Sequence, residues 1–344
     1  MSNESARPKV LQLGVIELAH EALNSIGQIA DIIVPKATSR AEFIAECRSG
    51  AFDGVVAAFR TFESAAITGL VDQELLAVLP SSLKFICHNG AGYDQIDIPA
   101  CTARSILVSN TPTAVDDATA DIAIWLMIGA LRNLNVSMSA LREGTWRGQP
   151  LPALGHDPQG KILGILGMGG IGRNMAKKAL AFGMKIRYHN RTRLTEAQEK
   201  ECEAEYVDFE TLLRESDVLS LNLPLNSHTR HTISKAQFDI MKRGVVIVNT
   251  ARGAVMDEAA LVDALNNGIV STVGLDVYEN EPKIQPGLAS NPSVLLVPHM
   301  GTWTVETHLK MEEWALGNVQ RALAEGRLRT IVPEQKDKAE LWAI

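Results

Sequence analysis

One stretch constrains this chain more than any other: Lys161-Ile-Leu-Gly-Ile-Leu-Gly-Met-Gly-Gly-Ile-Gly-Arg173. Its apolar run, Ile162–Leu166, reads as a buried parallel strand. The run leads directly into G-x-G-x-x-G, with Gly167, Gly169 and Gly172 at the glycine positions and Met168, Gly170 and Ile171 between them. Ile171, Met175, Ala179 and Phe182 then recur at helical spacing. Strand, glycine turn and helix in that order form the context in which such a motif binds a dinucleotide. Gly167 permits the tight turn, Gly169 lets a pyrophosphate approach the backbone, and Gly172 lets the helix pack against the strand. The helix N-terminus adds unsatisfied N–H groups and partial positive charge. A second strand, Lys185–His189, ends about 20 residues on, where a ribose-reading residue is expected.

The 344 residues leave room for about two domains. With 46% hydrophobic and 21% charged residues, the composition is that of a globular protein. A net charge of −7 gives no general attraction to nucleic acid or anionic membrane. The four cysteines, Cys47, Cys87, Cys101 and Cys202, have no metal or redox spacing, so no metal is expected. They read as small apolar residues of a reducing, cytoplasmic compartment. The N-terminal residues lack the apolar core of a signal peptide. The longest apolar run, residues 122–131, is too short to span a bilayer.

Taken in order, residues 10–16 read as a strand, 18–26 as a helix and 29–34 as a strand. Thr38-Ser39-Arg40-Ala41-Glu42 starts a helix with a capping carboxylate, running to about Arg48. Residues 54–58 are a strand, 73–78 a helix and 83–87 a strand. This alternation predicts a parallel sheet with helices on its faces. Cys87-His-Asn-Gly-Ala-Gly-Tyr-Asp94 follows the last of these strands. By itself it reads as an ordinary glycine turn, although such a loop can aim N–H groups at an anion. Residues 116–141 are the longest helical pattern, too apolar all round to lie exposed on a monomer. Residues 144–160 carry many helix breakers and read as a loop. About six parallel strands within 160–298 complete a doubly wound unit. A last long helix, residues 304–325, returns to cover the first unit. The fold expected is therefore α/β, with two Rossmann-like doubly wound parallel-sheet domains. Residues 111–301 form the dinucleotide domain, inserted in a discontinuous domain of residues 1–110 and 302–344.

Ligands bind at the C-terminal ends of strands in such sheets. Three polar signals occupy those ends: Asn249-Thr-Ala-Arg252-Gly, Asp276-Val-Tyr-Glu-Asn-Glu281-Pro and Pro298-His299-Met-Gly. Arg offers a planar fork for a carboxylate. His titrates near neutrality and can give or take a proton. A Glu beside it favours the protonated imidazole and holds its tautomer. Singly, Arg252 reads as a surface residue, Glu281 as a loop carboxylate and His299 as a satisfied core histidine. Together, beside a dinucleotide site, they point to catalysis. The other histidines, among them His88, His189, His228 and His231, have no such context and read as structural.

The sequence resembles the D-isomer-specific 2-hydroxyacid dehydrogenases over nearly its whole length. The resemblance lies in Gly167-Met-Gly-Gly-Ile-Gly172, Val248-Asn-Thr-Ala-Arg-Gly253, Gly274-Leu-Asp-Val-Tyr-Glu-Asn-Glu-Pro282 and Pro298-His-Met-Gly301. Within that family it looks most like the fungal glyoxylate reductases, through Leu79-Pro-Ser-Ser-Leu, His88-Asn-Gly-Ala-Gly-Tyr-Asp-Gln-Ile-Asp97, Ala118-Thr-Ala-Asp121 and Tyr188-His-Asn-Arg191. The resemblance implies that glyoxylate, and hydroxypyruvate with it, is reduced by NADPH or NADH to the D-2-hydroxy acid. Arg252 would hold the 2-oxo acid, His299 would donate the proton, and Glu281 would pair with His299. The amides of Ala91 and Gly92 would bind the substrate carboxylate, and Asp276 the nicotinamide carboxamide. Thr119, Leu223, Pro224, Thr250 and Ala251 would join the glycine loop around the cofactor. A homodimer through the 114–142 region is implied as well.

Two features depart from the family pattern. An Asp often ends the second nucleotide strand there, where this chain has Asn190, then Arg191 and Thr192, with Arg193 close by. A guanidinium and a hydroxyl at that place favour a 2′-phosphate, and so NADPH. Some relatives end in a regulatory domain, for which a chain ending at Ile344 has no room. Two alternatives share the fold: an NAD-sensing corepressor, and a dehydrogenase for a larger acid such as D-mandelate. Formate dehydrogenase is disfavoured, because it has Gln in place of Glu281. Trp146 and Trp303 are candidates for the substrate's R group, or else plain interface aromatics.

Overall fold

The computed structural model describes residues 7–342, with side chains through residue 338; residues 1–6, within the N-terminal stretch read for a signal peptide, lie outside the described residues. The chain divides into two compact units, Met1–Val115 with Thr304–Ile344, and Asp116–Trp303. Both are parallel α/β sheets.

The first unit has strands β1 (Lys9–Leu13), β2 (Asp31–Ile33), β3 (Val55–Thr61), β4 (Phe85–Asn89) and β5 (Leu107–Ser109), in the spatial order β2-β1-β3-β4-β5. Every pairing is parallel. Strand β4 shows buried positions in succession rather than in alternation, as a strand covered on both faces requires. Strand β5 and the helix Ile98–Ala103 before it escape the sequence reading, because three and six residues carry too little periodicity to show. The helix Arg40–Arg48 begins as its sequence implies. Ser39 accepts from the Glu42 amide, and the Glu42 carboxylate accepts from Thr38.

The helix Val305–Glu325 belongs to this unit and packs on β3, β4 and the helix His20–Ile29. Glu312, 3% exposed, supplies what the start of His20–Ile29 lacks. Its carboxylate accepts the amides of Glu17, Leu18 and Ala19 at 2.8, 2.9 and 2.8 Å. Beyond that helix, Gln335 is fully buried; it accepts from the Val108 amide and donates to the Ile106 carbonyl, closing the edge of β5.

The second unit has strands β6 (Ile162–Leu166), β7 (Lys185–His189), β8 (Ala204–Tyr206), β9 (Val218–Leu221), β10 (Val245–Asn249), β11 (Val270–Leu275) and β12 (Val294–Leu296). The sheet has seven strands where the sequence suggests about six, ordered β12-β11-β10-β9-β6-β7-β8. The direction of winding reverses between β6 and β9, the switch point at which such sheets bind ligands.

The single helix expected over 116–141 is two helices. Asp116–Leu131 and Leu134–Arg142 meet at 81°. Asn133 adopts a left-handed conformation, φ +50°, and the Leu131 carbonyl accepts from the His156 amide at 2.7 Å. The loop after the second helix thus caps the first. Asp116–Leu131 is a core helix packed on β10 and β11, while Leu134–Arg142 leaves Leu134, Met138 and Leu141 exposed. Among the described residues no single helix is long and apolar enough to cross a membrane.

Glu312 generates a stability prediction. Hydrogen bonds to a charged acceptor contribute about 1.5–3 kcal/mol each, with incomplete additivity. Glu312→Ala should therefore lower the unfolding free energy by about 2–4 kcal/mol, and Glu312→Gln by less, since the carboxamide keeps an acceptor oxygen. Urea denaturation followed by circular dichroism measures both; an unshifted midpoint for Glu312→Ala would remove the cap from the account.

Candidate active site

At the end of β6 the chain turns through Gly167, whose φ is +99°. A Cβ there would lie 2.7 Å from the Asn222 carbonyl oxygen, so both conformation and space require glycine. A Cβ on Gly172 would lie 2.5 Å from the Gly167 oxygen, which is how closely the helix Gly170–Leu180 begins against the strand. Gly169 differs: it is the N-cap, it has no side-chain cap, and nothing lies within 4 Å of where its Cβ would be. Asn190, at the end of β7, accepts the Met168 amide through Oδ1 at 2.6 Å and so holds the loop. Leu223 flanks the loop at 3.2 Å from the Cβ position of Gly167.

This arrangement fits a dinucleotide. The helix start presents amides, and Gly169 allows close approach. Two buried acceptors at adjacent strand ends, Thr250 Oγ1 and Asn222 Oδ1, have no protein partner. Buried polar atoms are ordinarily satisfied, so such orphans fit a polar ligand.

After β7, Arg191 and Thr192 are exposed. Arg193 is committed elsewhere: its Nε and Nη2 donate to Glu199 at 2.7 and 2.9 Å, and its guanidinium lies 5.6 Å from the Tyr206 ring centre. Of the two arginines noted in the sequence, Arg193 is thus bound to Glu199 and Arg191 is exposed beside the loop.

Arg252, Glu281 and His299 follow β10, β11 and β12. Asn249 shapes the first of these loops, accepting from the Ala251 amide and donating to the Arg252 carbonyl, both at 3.0 Å. Gly253 is then forced by packing: its Cβ would lie 1.9 Å from the Tyr278 carbonyl carbon. The Arg252 and Glu281 loops touch backbone to backbone. Glu281 Oε1 accepts the Tyr278 amide and Oε2 accepts from His299 Nδ1, both at 2.9 Å. His299 has φ +55°, held by donation from its amide to the Asp276 carbonyl at 2.8 Å. Few non-glycine residues adopt that conformation, which is strain of order 1 kcal/mol at a candidate functional position.

Burial pushes the Glu281 carboxyl up, but the His299 hydrogen bond and charge, the Tyr278 amide and the Arg252 charge outweigh it and hold Glu281 below the usual carboxylate range. Asp276, 1% exposed, goes the other way. Burial raises it, although the Met300 and Gly301 amides donate to its oxygens and His299 lies near. Thr119 lies beside Asp276, its side chain 3.3 Å from the Cβ position of Gly301.

Two participants escape the sequence reading. Glu258, 4% exposed, accepts the Glu279 amide at 2.9 Å beneath the Glu281 loop. His231, set aside as without context, donates a hydrogen bond from Nε2 to the Glu279 carboxylate. Neither has a local signal, since each meets the loop from at least twenty residues away in sequence. Ala91 and Gly92 lie in the first unit, after β4; Asn110 donates to the Ala91 carbonyl at 2.8 Å. Trp146 and Trp303 are 72% and 61% exposed.

The comparisons with known proteins agree with one another. The family description "D-isomer specific 2-hydroxyacid dehydrogenase, NAD binding domain" matches residues 124–301. The chain is 54% identical over 330 residues to 4-methyl-2-oxopentanoate reductase A of Aspergillus oryzae, covering 96% of this chain and 99% of that protein. It is 44% identical to glyoxylate reductase 1 of Saccharomyces cerevisiae, with 97% of each covered. A crystal structure of a glyoxylate reductase from Paecilomyes thermophila aligns with a TM-score of 0.93 at 51% identity, covering 96% of this chain and 100% of that one.

Proposed function

This chain belongs to the D-isomer specific 2-hydroxyacid dehydrogenase family, and from that premise we propose that it is a glyoxylate reductase that also accepts hydroxypyruvate and prefers NADPH. That it is an NAD(P)-dependent oxidoreductase follows from the family itself. In this reading Asp116–Trp303 is the cofactor domain and the other unit the substrate domain. The setting is cytoplasmic, in keeping with four free, buried cysteines.

The observation that carries the catalytic reading is the His299 Nδ1 to Glu281 Oε2 hydrogen bond of 2.9 Å, one strand end away from Arg252. When bound, the reduced nicotinamide supplies the hydride that adds to the carbonyl carbon. Arg252 holds the 2-oxo acid through its carboxylate and carbonyl oxygens, using the two parallel donors of a guanidinium. The amides of Ala91 and Gly92 are the first unit's candidates for the carboxylate. Glu281 accepts a hydrogen bond from the Nδ1–H of His299, so proton delivery to the substrate oxygen runs from Nε2. The C–O double bond becomes C–H and O–H, and His299 is left neutral. Asp276 keeps an acceptor for the carboxamide of the nicotinamide, and Thr119, Thr250, Ala251 and Pro224 complete the surroundings of the cofactor.

A second substrate reading has a specific support: the Aspergillus oryzae relative is named for 4-methyl-2-oxopentanoate. A panel of glyoxylate, hydroxypyruvate and 4-methyl-2-oxopentanoate decides between small and branched acids. Turnover of any of them also separates this enzyme from an NAD-sensing corepressor of the same fold.

On purified protein, glyoxylate should be the best substrate of the panel, and chiral products should be the D isomer. His299→Ala should lower kcat by about 10²–10⁴, the usual contribution of a general acid. Arg252→Ala should raise KM strongly as well, because it binds the ground state too. Inactivity of the wild type on every 2-oxo acid would overturn the reaction, and unchanged kinetics in these variants would overturn the residues.

Cofactor choice rests on Asn190 in place of an acid, with Arg191 and Thr192 exposed beside it. A charged hydrogen bond contributes roughly 1.5–3 kcal/mol, so Arg191→Ala should cost NADPH about one to two powers of ten in kcat/KM. NADH kinetics should barely change. A wild type that prefers NADH, or equal losses for both cofactors, would remove Arg191 from that role.

The homodimer reading rests on apolar side chains left exposed in one region of the second unit: Trp125, Leu134, Met138, Leu141, Leu151 and Leu154, the last at 96%. A second copy paired about a two-fold axis covers such a patch on both chains at once. Light scattering after size exclusion should give the mass of two chains, and Met138→Glu with Leu141→Arg should give one. A monomeric wild type would end the dimer reading.

A further inference from the structure

The first unit contains a fully buried arginine, Arg60, on β3, and a fully buried histidine, His88, on β4. The two occupy partnered positions of adjacent parallel strands. Arg60 Nη1 lies 3.2 Å from His88 Nδ1, and Arg60 Nη2 donates to Gln95 Oε1 at 2.7 Å. His88 Nε2 lies 2.9 Å from the Gly92 carbonyl oxygen. Gly90 lies directly on the imidazole, since a Cβ there would be 2.6 Å from Nε2.

We propose that Arg60 and His88 are positioning residues for the loop of residues 90–92: the buried guanidinium fixes His88 as a neutral imidazole protonated on Nε2, and that N–H anchors the Gly92 carbonyl, the C-terminal end of the loop whose Gly90 and Ala91 carbonyls are held by the Thr111 amide and Asn110. The proposal rests on the reading in which the Ala91 and Gly92 amides bind the substrate carboxylate.

The assignment of the proton follows from donor and acceptor chemistry. A guanidinium has N–H donors and no acceptor, so the nitrogen facing it must carry a lone pair. His88 Nδ1 is that nitrogen, and a proton there would set two cations about 3 Å apart in a low-dielectric interior. The proton therefore sits on Nε2, opposite a carbonyl that can only accept. Gln95 ties the far end of the same loop to the same arginine. One buried cation thus reaches two points at the C-terminal side of a glycine-rich segment, the Gly92 carbonyl through His88 and Gln95 directly.

A buried charge is costly unless paired, and the carboxylates of Asp94 and Glu63 act on Arg60 against the lowering effect of burial. The strand neighbours of Arg60 are packed as core, so its charge is offset by protein partners rather than by water. The function of the arginine is found in the contacts that it makes with His88 and Gln95.

The test has two parts. On full-length protein labelled with ¹⁵N-histidine, two-bond ¹H–¹⁵N correlations, assigned by comparison with His88→Gln, should show His88 neutral with its proton on Nε2 from mildly acidic to mildly alkaline pH. A protonated ring, or the Nδ1–H tautomer, would overturn the proposal. In kinetics, His88→Phe should raise KM for the 2-oxo acid about tenfold, the loss of one positioned hydrogen bond, with KM for the cofactor unchanged. His88→Gln, which can accept from Arg60 and donate to Gly92, should restore KM to within about threefold of the wild type. An unchanged substrate KM in His88→Phe, or an equal rise for the cofactor, would overturn the relay. Should the wild type reduce no 2-oxo acid, the proposed function fails, and the tautomer measurement still decides whether Arg60 sets His88.

Discussion

Loose backbone amides at the ends of parallel strands must be satisfied, and the candidate catalytic group of this protein depends on how that is done. Asn249 takes the Ala251 amide, Asp276 the amides of Met300 and Gly301, and Glu281 that of Tyr278. The Asn249 and Glu281 bonds close each loop on itself, and the Asp276 bonds tie the loop after β12 to the end of β11. The His299 to Glu281 hydrogen bond exists because both loops have been set in this way, and because Gly253 allows the Arg252 loop to lie against the Tyr278–Glu279 peptide. Without these local closures, Arg252, Glu281 and His299 would be three long loop residues with no fixed relation.

Holding loops with buried carboxylates has an electrostatic cost, and its distribution is informative. Glu258 and Asp276 are both pushed up by burial, whereas Glu281, on which desolvation also acts, is held down by His299 and its other partners. The one carboxyl of the three that is hydrogen-bonded to an imidazole is the one whose pKa is held down. Desolvation acts on all of them; the neighbouring donors and charges decide the sign.

The first unit follows the same rule with different groups. Glu312 gathers three amides at the start of a helix, and Gln335 satisfies an edge strand. Arg60, through His88 and Gln95, holds the loop after β4. In each case a polar side chain buried far from water organises backbone that is distant in sequence, which is the arrangement that makes buried polarity tolerable.

Much of this was legible without coordinates. Apolar runs such as Ile162–Leu166 and Val245–Asn249 announce doubly covered strands, because burial on both faces leaves no alternation to disguise them. The glycine loop, and the polar residues after β10, β11 and β12, are legible because strand ends in such sheets are where ligands bind. Tertiary structure decided the rest. The helix over 116–141 breaks at Asn133 since the distant His156 amide takes the Leu131 carbonyl, which no local pattern records. Arg193 went to Glu199, His231 to Glu279 and His88 to Arg60, each choice made by a partner six or more residues away. A sequence carries periodicity and local stereochemistry, and these determine elements and the order in which they stack. Which charged group a side chain meets depends on packing across the sheet, and only the folded chain determines that.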